Sequence, residues 1–330
     1  MKKKVFVFND GELKRKDNTV YFETEEGQKY LPIEDISELY IFGEITLTKK
    51  LLEYLSQKEI LVHFFNYYGY YTGTYYPREH LNSGYMIVKQ VEHYIDETKR
   101  LYLAKKFVEG SAKNILAVIR YYKNRGKELR KLENTINEYY QEIFYTDNIN
   151  SLMGIEGNIR QSYYDKFDAI IENEEFIFEK RTKQPPQNYL NSLISFGNSL
   201  IYVLTLSEIY KTHLDPRIGY LHTSNYRHFS LNLDVSEIFK PIIVDRVIFT
   251  LIGKGIIKTD DFYDDLNGIL LNERGRKKFI EEYDKKLQST IMHRELGRNV
   301  SYNRLIRLEL YKIEKHFMDE EEYEPFISRW

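Results

Sequence analysis

The sequence predicts an α+β protein with a small N-terminal β-rich domain followed by a larger, all-α domain. Short apolar runs separated by Gly, Asn and Asp fill residues 1–76, and helical spacing of apolar residues begins after residue 90. The stretch between them has the composition of a linker. We therefore divide the chain into a β-rich domain (1–76), a linker (77–90), a helical domain (91–318) and an acidic C-terminal tail (319–330) that we expect to fray.

The β-rich domain is predicted from alternation and turn residues. Lys4–Phe8 is apolar and is followed by Asn9-Asp10-Gly11, in which Asp-Gly predicts a β-hairpin. One short helix is expected at Leu51–Ser56. Further strands are predicted at Thr19–Glu23, Gln28–Pro32, Ile36–Phe42 and Ile60–Asn66.

The helical domain is predicted from apolar residues at three- and four-residue spacing. The first helical stretch runs from His93 to about Phe144, with breaks expected at Gly110 and Gly126. Ser151 is the expected N-cap of a helix that ends at Ile171. The remaining helices are predicted over Gln187–Thr212, Asp234–Ile252 and Glu273–His316.

One uncharged run, Gln187–Ser207, is long enough to cross a bilayer. Its amides and hydroxyls would be costly in hydrocarbon. We therefore expect a helix that is buried inside a cytoplasmic protein, with no membrane partner. The basic N-terminus is followed by an apolar run too short for a secretory signal.

Composition restricts the chemistry. Lys and Arg number 48 and Asp and Glu number 50, so the net charge is −2 and a uniformly basic surface is excluded. Cysteine is absent, which excludes disulfides, thiolate metal sites and cysteine nucleophiles. Any metal must be held by His, Asp, Glu and water, and these ligands favour Mg²⁺ or Mn²⁺ over zinc.

Basic residues are concentrated between Lys99 and Lys131. Eleven basic and two acidic residues give this segment a net charge of +9. Such a segment is either a solvated helical face or a surface for phosphate backbones, and the scarcity of balancing acids favours the second interpretation. The candidate DNA-binding residues in it are Lys105, Lys106, Arg120 and Lys123.

The sharpest cluster of chemically active residues lies between Asp215 and Lys240. His222 follows a turn, and Asp234 and Glu237 are three residues apart, which places both carboxylates on one helical face. Lys240 lies one turn further on nearly the same side. Carboxylates, an imidazole and a cation suit metal-assisted phosphodiester chemistry. The alternative is structural: Asp234 as an N-cap and Glu237 paired only with Lys240.

Two further stretches stand out. Glu156 is flanked by Gly157 and, two residues earlier, Gly154, and Arg160 lies one turn away on the same face, where an exposed salt bridge is the alternative. A Pro-Pro loop then opens a helix whose early residues Asn188 and Asn191 are amides at one-turn spacing. These amides are either a functional surface or a polar seam between helices.

Taken in order, these motifs resemble the CRISPR-associated spacer-acquisition integrases, the catalytic subunit of the CRISPR adaptation complex. The motifs are Glu156 with Arg160 and Tyr163, then Pro186–Asn191, Gly219–His222, and Leu233–Pro241. The likeness covers nearly the whole chain, and the aromatic run at Phe64–Tyr71 resembles the type I-B branch.

The resemblance implies a β-sandwich-like first domain and a metal-dependent catalytic helical domain. The implied metal ligands are Glu156, His222 and Glu237, of which the third is often Asp in the family. Asp234 matches a second acidic position that supports activity, and Lys240 a basic one. Mn²⁺ or Mg²⁺ is the implied cofactor. Arg160, Tyr163, Asn188 and Asn191 are further candidates for contact with DNA, although Arg160 serves equally to orient Glu156.

The implied activity is insertion of captured foreign DNA into a CRISPR array, in which a DNA 3′-hydroxyl attacks a phosphodiester at a repeat boundary. Hydrolysis should accompany it, so endonuclease activity is expected. The implied partners are protospacer and repeat DNA, a second copy of the chain, a small ferredoxin-like second adaptation protein, and an exonuclease-like adaptation protein. The rival functions are a metal-dependent nuclease of branched or single-stranded DNA in repair, and a non-catalytic DNA-binding scaffold.

Overall fold

The computed structural model describes residues 2–78, 81, 83–183, 185–222, 229–265, 268–293 and 296–329. The chain forms two compact units, Met1–Asn82 and Ser83–Trp330. The first is built from β-strands and the second is mostly helical, which confirms the predicted α+β class. The linker expected over 77–90 is too long, because a helix already begins at Gly84.

The first unit contains two four-stranded sheets and a helix. Its elements are β1 (Lys3–Val7), β2 (Gly11–Lys16), β3 (Thr19–Thr24), β4 (Gly27–Pro32), β5 (Ile36–Ile41), β6 (Ile45–Leu47), α1 (Lys49–Gln57), β7 (Leu61–Phe65) and β8 (Tyr71–Tyr75). The strand orders are β1-β5-β7-β8 and β4-β3-β2-β6. Leu39 and Val62 from one sheet share a buried core with Leu13 and Val20 from the other. This arrangement is the sandwich-like domain that the resemblance implied.

The hairpin predicted at Asp10-Gly11 is wrong. β1 pairs in parallel with β5, whereas β2 pairs with β3 and β6 in the other sheet. The connection after β5 runs beside the connection after β1, and the Glu44 N–H donates to Asp10 Oδ1 (2.7 Å). Gly11 has a φ of 155° and its N–H donates to the Glu44 carbonyl. The Asp-Gly pair therefore lies where the chain passes from one sheet to the other. Glycine is favoured at position 11 because the backbone there has a positive φ.

The second unit contains ten helices and two β-hairpins among its described residues. The elements are α2 (Gly84–Ile95), α3 (Glu97–Lys123), α4 (Arg130–Tyr145), α5 (Ile149–Tyr164), α6 (Phe167–Ile171), α7 (Tyr189–Tyr210), α8 (Leu231–Phe239), α9 (Arg246–Gly253), β9 (Phe262–Asp265), β10 (Gly268–Leu271), α10 (Glu273–Gln288), β11 (Thr290–His293), β12 (Arg298–Ser301) and α11 (Tyr302–Phe317). A π-helical turn, Pro241–Asp245, joins α8 to α9.

Several predicted boundaries differ from the structure. α3 runs through Gly110 without a break, and the helix ends near Gly126, which has a φ of 89°. Asn148, not Ser151, caps α5, because its side chain accepts from the Ser151 N–H (2.9 Å). The helix predicted over Glu273–His316 is interrupted by the hairpin of β11 and β12.

The apolar helix α7 lies in the core. It is the one helix among the described residues that is long and apolar enough to cross a membrane. However, 78% of its most apolar window is buried inside the protein. Packing against other helices therefore accounts for its composition, as the sequence predicted.

The acidic tail does not fray. Tyr323 is fully buried and its hydroxyl donates to Glu309 Oε1 (2.6 Å). The Phe326 N–H donates to the same carboxylate, and the Ser328 N–H donates to Asn114 Oδ1 (2.7 Å). The tail packs on α3 and α11, so the prediction based on its charge is wrong.

Candidate active site

The candidate site lies where α5, α8 and the loop before α8 converge. α5 carries Glu156 and Arg160 one turn apart, and α8 carries Asp234 and Glu237. The loop that ends at His222 is held against α8. The structure thus brings together residues that the sequence placed in separate motifs.

Asp234 fixes the His222 loop. Its Oδ2 accepts the backbone N–H groups of Tyr220 (2.5 Å) and Leu221 (3.1 Å), and its Oδ1 accepts the N–H of His222 (3.0 Å). His222 Nδ1 also lies 2.7 Å from Oδ1. Ser230, not Asp234, occupies the N-cap position of α8. The structural alternative, in which Asp234 is only a helix cap, is therefore wrong.

The Glu237 carboxylate is buried between two cations. Its Oε1 accepts from Lys240 Nζ and its Oε2 from Arg160 Nη2 (2.5 Å). Burial alone would raise the pKa of Glu237, but the charges of Lys240 and Arg160 outweigh it and hold the pKa well below its ordinary value. Lys240 also donates to the Tyr202 hydroxyl (2.5 Å). The two cations thus favour the ionised form of Glu237.

Glu156 has a different environment. Its nearest ion-pair partner is Arg160, whose Nε lies 3.5 Å from Oε1, and 20% of its side chain is exposed. Burial and the charge of Glu237 raise the pKa of the Glu156 carboxyl. Two carboxylates that repel each other in this way are the ordinary setting for a bound cation.

The predicted DNA contacts of Arg160 and Tyr163 are not supported by their positions. Arg160 is 8% exposed and also donates to the backbone carbonyl of Glu237 (3.2 Å), so it is not the exposed salt bridge that was the alternative. Tyr163 is fully buried, and its ring packs on Phe167 at a centroid distance of 5.0 Å. Enclosed side chains have no surface for DNA. Arg160 therefore orients carboxylates, and Tyr163 is a core residue.

The two asparagines organise the start of α7. Asn188 is partly exposed and caps the helix by accepting the Asn191 N–H (2.8 Å). Asn191 is fully buried, donates to the Lys180 carbonyl and accepts from Arg181 Nη1 (2.9 Å). The prediction that Asn191 touches DNA is therefore wrong, because its amide is used within the protein.

Several basic side chains between Lys99 and Lys131 form ion pairs within the protein. Arg120 and Lys123 both pair with Glu133 (2.9 and 2.5 Å), and Lys106 pairs with Glu109 and Glu324. These partners include acids that lie outside the segment and neutralise part of its +9 charge. By contrast, Lys105 donates to the carbonyl of Phe144 (3.1 Å) and forms no ion pair with any residue that the structure describes.

One carboxylate of this region was missed. Asp245 ends the π-helical turn after Lys240, is 1% exposed, and has its Oδ2 4.0 Å from Arg160 Nη1. The sequence did offer a signal for Asp245, because it is an acidic residue eight positions after Glu237 in an otherwise apolar run. Tyr202, which binds Lys240, was missed because it lies in the apolar helix α7.

The donor chemistry of the site fits a divalent cation. The ring nitrogen Nδ1 of His222 is engaged by Asp234, so Nε2 remains as its ligand atom. Glu156 and Glu237 add carboxylate oxygens, which Mg²⁺ and Mn²⁺ prefer. Within the ranges described, no three His, Asp or Glu side chains stand as close together as bound ligands would. Binding of one cation by all three side chains would therefore require them to move closer together.

Comparisons with known proteins show the family of this chain. The model of the family described as CRISPR associated protein Cas1 matches residues 5–285. A CRISPR-associated endonuclease Cas1 2 of Thermodesulfovibrio yellowstonii is 59% identical over 330 residues, 100% of each chain. A CAS1 protein from Thermotoga maritima superposes with a TM-score of 0.89 at 45% identity, over 98% of this chain and 99% of that one.

A more distant likeness concerns the fold alone. A casposase bound to integration product superposes with a TM-score of 0.88 at 22% identity. The match covers 100% of this chain and 96% of the casposase. The fold is therefore retained at low sequence identity.

Proposed function

The chain belongs to the family of CRISPR associated protein Cas1, and from this membership we propose that it is a metal-dependent DNA integrase and endonuclease. It inserts captured DNA fragments into a CRISPR array, and the reacting groups are a DNA 3′-hydroxyl and a phosphodiester at a repeat boundary. With water in place of the hydroxyl, the same site hydrolyses DNA. The endonuclease name of the relative that is 59% identical supports this proposal.

The observation that carries the proposal is the pairing of Asp234 with His222 beside two carboxylates. Asp234 accepts three backbone N–H groups and the imidazole, so the ring has one orientation and one tautomer. Glu156 and Glu237 are close enough for each charge to affect the other. The four hydrogen bonds to Asp234 offset the cost of burying its carboxylate and fix the imidazole in place.

The residues of the chain have separate tasks in this mechanism. Bound by Glu156, His222 and Glu237, Mn²⁺ or Mg²⁺ supplies a Lewis acid that lowers the pKa of a hydroxyl and neutralises phosphate charge. Asp234 keeps the proton on His222 Nδ1. In the absence of metal, Lys240 and Arg160 keep the Glu237 carboxylate ionised and fix its position. Lys240 is 4% exposed, so it acts here through Glu237 rather than on a phosphate oxygen.

Tyr163 and Tyr164, which lie beside this cluster, are not suited to act as nucleophiles. Tyr163 and Tyr164 are buried, and burial raises the pKa of Tyr164 to about 12. This supports direct attack by a DNA hydroxyl rather than a covalent protein intermediate.

The proposed partners follow from the family. They are protospacer and repeat DNA, a second copy of this chain, and a small ferredoxin-like second adaptation protein. An exonuclease-like adaptation protein is expected to trim the fragment. The proposed place of action is the cytoplasm, because the array is chromosomal DNA. The proposed DNA contacts are Asn188, Lys105, Lys106, Arg120 and Lys123, of which Arg120 is exposed and the others are partly exposed.

The test is an integration assay with the full chain, its small partner and Mn²⁺. A labelled duplex and a supercoiled plasmid carrying the host repeat are mixed with wild type, Glu156→Gln, Glu237→Gln or the control Glu138→Ala, which changes an exposed glutamate. Label should enter the plasmid with wild type and the control alone. Equal transfer by all four proteins would refute the metal site. Cutting without joining would favour the repair nuclease.

A further inference from the structure

Arg160 is surrounded by three carboxylates. Its Nη2 donates to Glu237 (2.5 Å), its Nε lies 3.5 Å from Glu156, and its Nη1 lies 4.0 Å from Asp245 Oδ2. Nη1 is buried and has no hydrogen-bond partner within the described structure. The guanidinium therefore donates hydrogen bonds on the side of Glu237 and donates none towards Asp245.

Asp245 is equally unusual. Both of its carboxylate oxygens are buried without a hydrogen-bond partner among the residues described. A buried carboxylate that makes no hydrogen bond destabilises the folded protein, so its presence calls for a functional explanation. It also ends a π-helical turn, and such turns are frequent at functional sites.

These two unused groups face each other, which suggests that the structure shows one of two arrangements. We propose that Asp245 is a positioning residue, the second acceptor for Arg160, and that it takes the guanidinium when the Glu237 carboxylate binds another cation. A shift of about 1 Å brings Nη1 within hydrogen-bond distance of Oδ2. That the other cation is a divalent metal rests on the function proposed above.

The electrostatics support an exchange of this kind. Burial raises the pKa of Asp245 to about 7, although Arg160 and Lys240 oppose the rise. Closer approach of Arg160 would stabilise the ionised carboxylate. Without Asp245, a guanidinium displaced from Glu237 would be left buried beside Glu156 alone, and an uncompensated buried charge is costly.

The deciding experiment needs no metal. Unfolding by urea is measured for wild type, Asp245→Asn, Glu237→Gln and the double variant, all as full chains. Glu237→Gln removes the charge that holds Arg160, so Asp245 should become its main partner. The double variant should then raise the unfolding equilibrium constant at least about tenfold beyond the product of the two single effects.

A matched control separates this coupling from a general loss of buried charge. Glu314 is a buried glutamate on α11 whose side chain contacts His213, not Arg160. Glu314→Gln combined with Glu237→Gln should give the product of the single effects. The effects of Asp245→Asn and Glu237→Gln on the unfolding equilibrium constant are compared in the same way. If the double variant lies within about threefold of the product of the two single effects, Asp245 is not the second acceptor and the inference is wrong.

A second measurement is calorimetric titration of Mn²⁺ into wild type and Asp245→Asn. Asn cannot receive Arg160 as an ion pair, so Mn²⁺ should bind about tenfold more weakly to the variant. Equal affinities would overturn the proposed exchange during metal binding. If wild type binds no Mn²⁺, the proposed metal function fails, and the urea experiment still decides whether Asp245 is the second acceptor of Arg160.

Discussion

The carboxylate of Asp234 accepts hydrogen bonds from both the backbone N–H and Nδ1 of His222, at 3.0 and 2.7 Å. One side chain therefore sets the position of the histidine backbone and the tautomer of its ring. Asp234 is fully buried and receives two further backbone N–H groups from the same loop. Asp234 therefore ties residues 220–222 to α8.

Asp234→Asn should lower the pKa of His222. Burial lowers this pKa and the hydrogen bond and charge of Asp234 raise it, with a net increase in the wild type. With Asn the raising contributions are lost, so the pKa should fall and integration should decrease about 10- to 100-fold. NMR titration of the His222 ring measures the first effect and the plasmid assay the second.

Asp215→Asn is the control for this prediction. Asp215 lies in the same loop, but it binds Arg217 rather than His222. The pKa of His222 should not change in that variant. A wild-type His222 pKa in Asp234→Asn would contradict the role assigned to Asp234.

Lys105→Ala should weaken DNA binding more than Lys106→Ala. Among the described residues Lys105 has no acidic partner, whereas Lys106 is held by Glu109 and Glu324. Each lost phosphate contact lowers the slope of log affinity against log salt by about one. Fluorescence anisotropy of labelled branched DNA over a salt series gives both slopes. Equal slopes for the two variants would show that internal ion pairs do not decide which lysines bind DNA.

Gly157→Ala should stabilise the protein. A Cβ at Gly157 in α5 would meet nothing within 4 Å, and Ala is the better helix former by about 1 kcal/mol. Urea unfolding should show a gain in the free energy of unfolding of that order. A loss would mean that this face of α5 is covered within the protein.

Gly110→Ala should have the opposite effect. A Cβ at Gly110 in α3 would lie 2.7 Å from the Cβ of Pro325. The C-terminal tail would have to move, and such overpacking costs about 1–3 kcal/mol. Urea unfolding measures the loss, and removal of residues 325–330 should abolish the difference between Gly and Ala. If the difference persists after truncation, the clash is with another part of the core.

Asp261→Asn should make stability less dependent on pH in acid. Burial alone would raise the pKa of Asp261, but hydrogen bonds from Lys278, the Lys258 N–H and Arg274 hold it below its ordinary value of 3.8. The pKa of Asp261 is therefore lower in the folded than in the unfolded protein. The contribution of Asp261 to the free energy of unfolding is complete above pH 3.8 and is lost as the pH falls through the folded pKa.

The variant should accordingly lose about 2 kcal/mol at neutral pH, because cationic donors lose a buried carboxylate. The difference from wild type should shrink only as the pH falls below 3.8. Urea unfolding at a series of pH values tests both statements. Asp260→Asn, a change in the neighbouring exposed aspartate, should have a much smaller effect.

Local sequence patterns predicted helices and strands well where the apolar residues follow a single spacing, either that of a strand or that of a helix. Alternation gave β3 and β4, and three- and four-residue spacing gave α7 and the helices that carry Glu156 and Glu237. They failed at Asp10-Gly11, because the same dipeptide suits a hairpin and a crossing between sheets. They also failed at Glu273–His316, where a short hairpin interrupts two helices of similar composition.

The sequence by itself determined the α+β class, the order of the two units, and which helix face carries each functional residue. The tertiary structure decided which faces meet: it joined Asp234 to His222, enclosed Arg160 and Tyr163, paired Arg120 with Glu133, and brought Asp245 to Arg160 through a π-helical turn. The physical reason is that periodicity fixes directions within one element. Contacts between elements depend on packing over the whole chain, which no local pattern records.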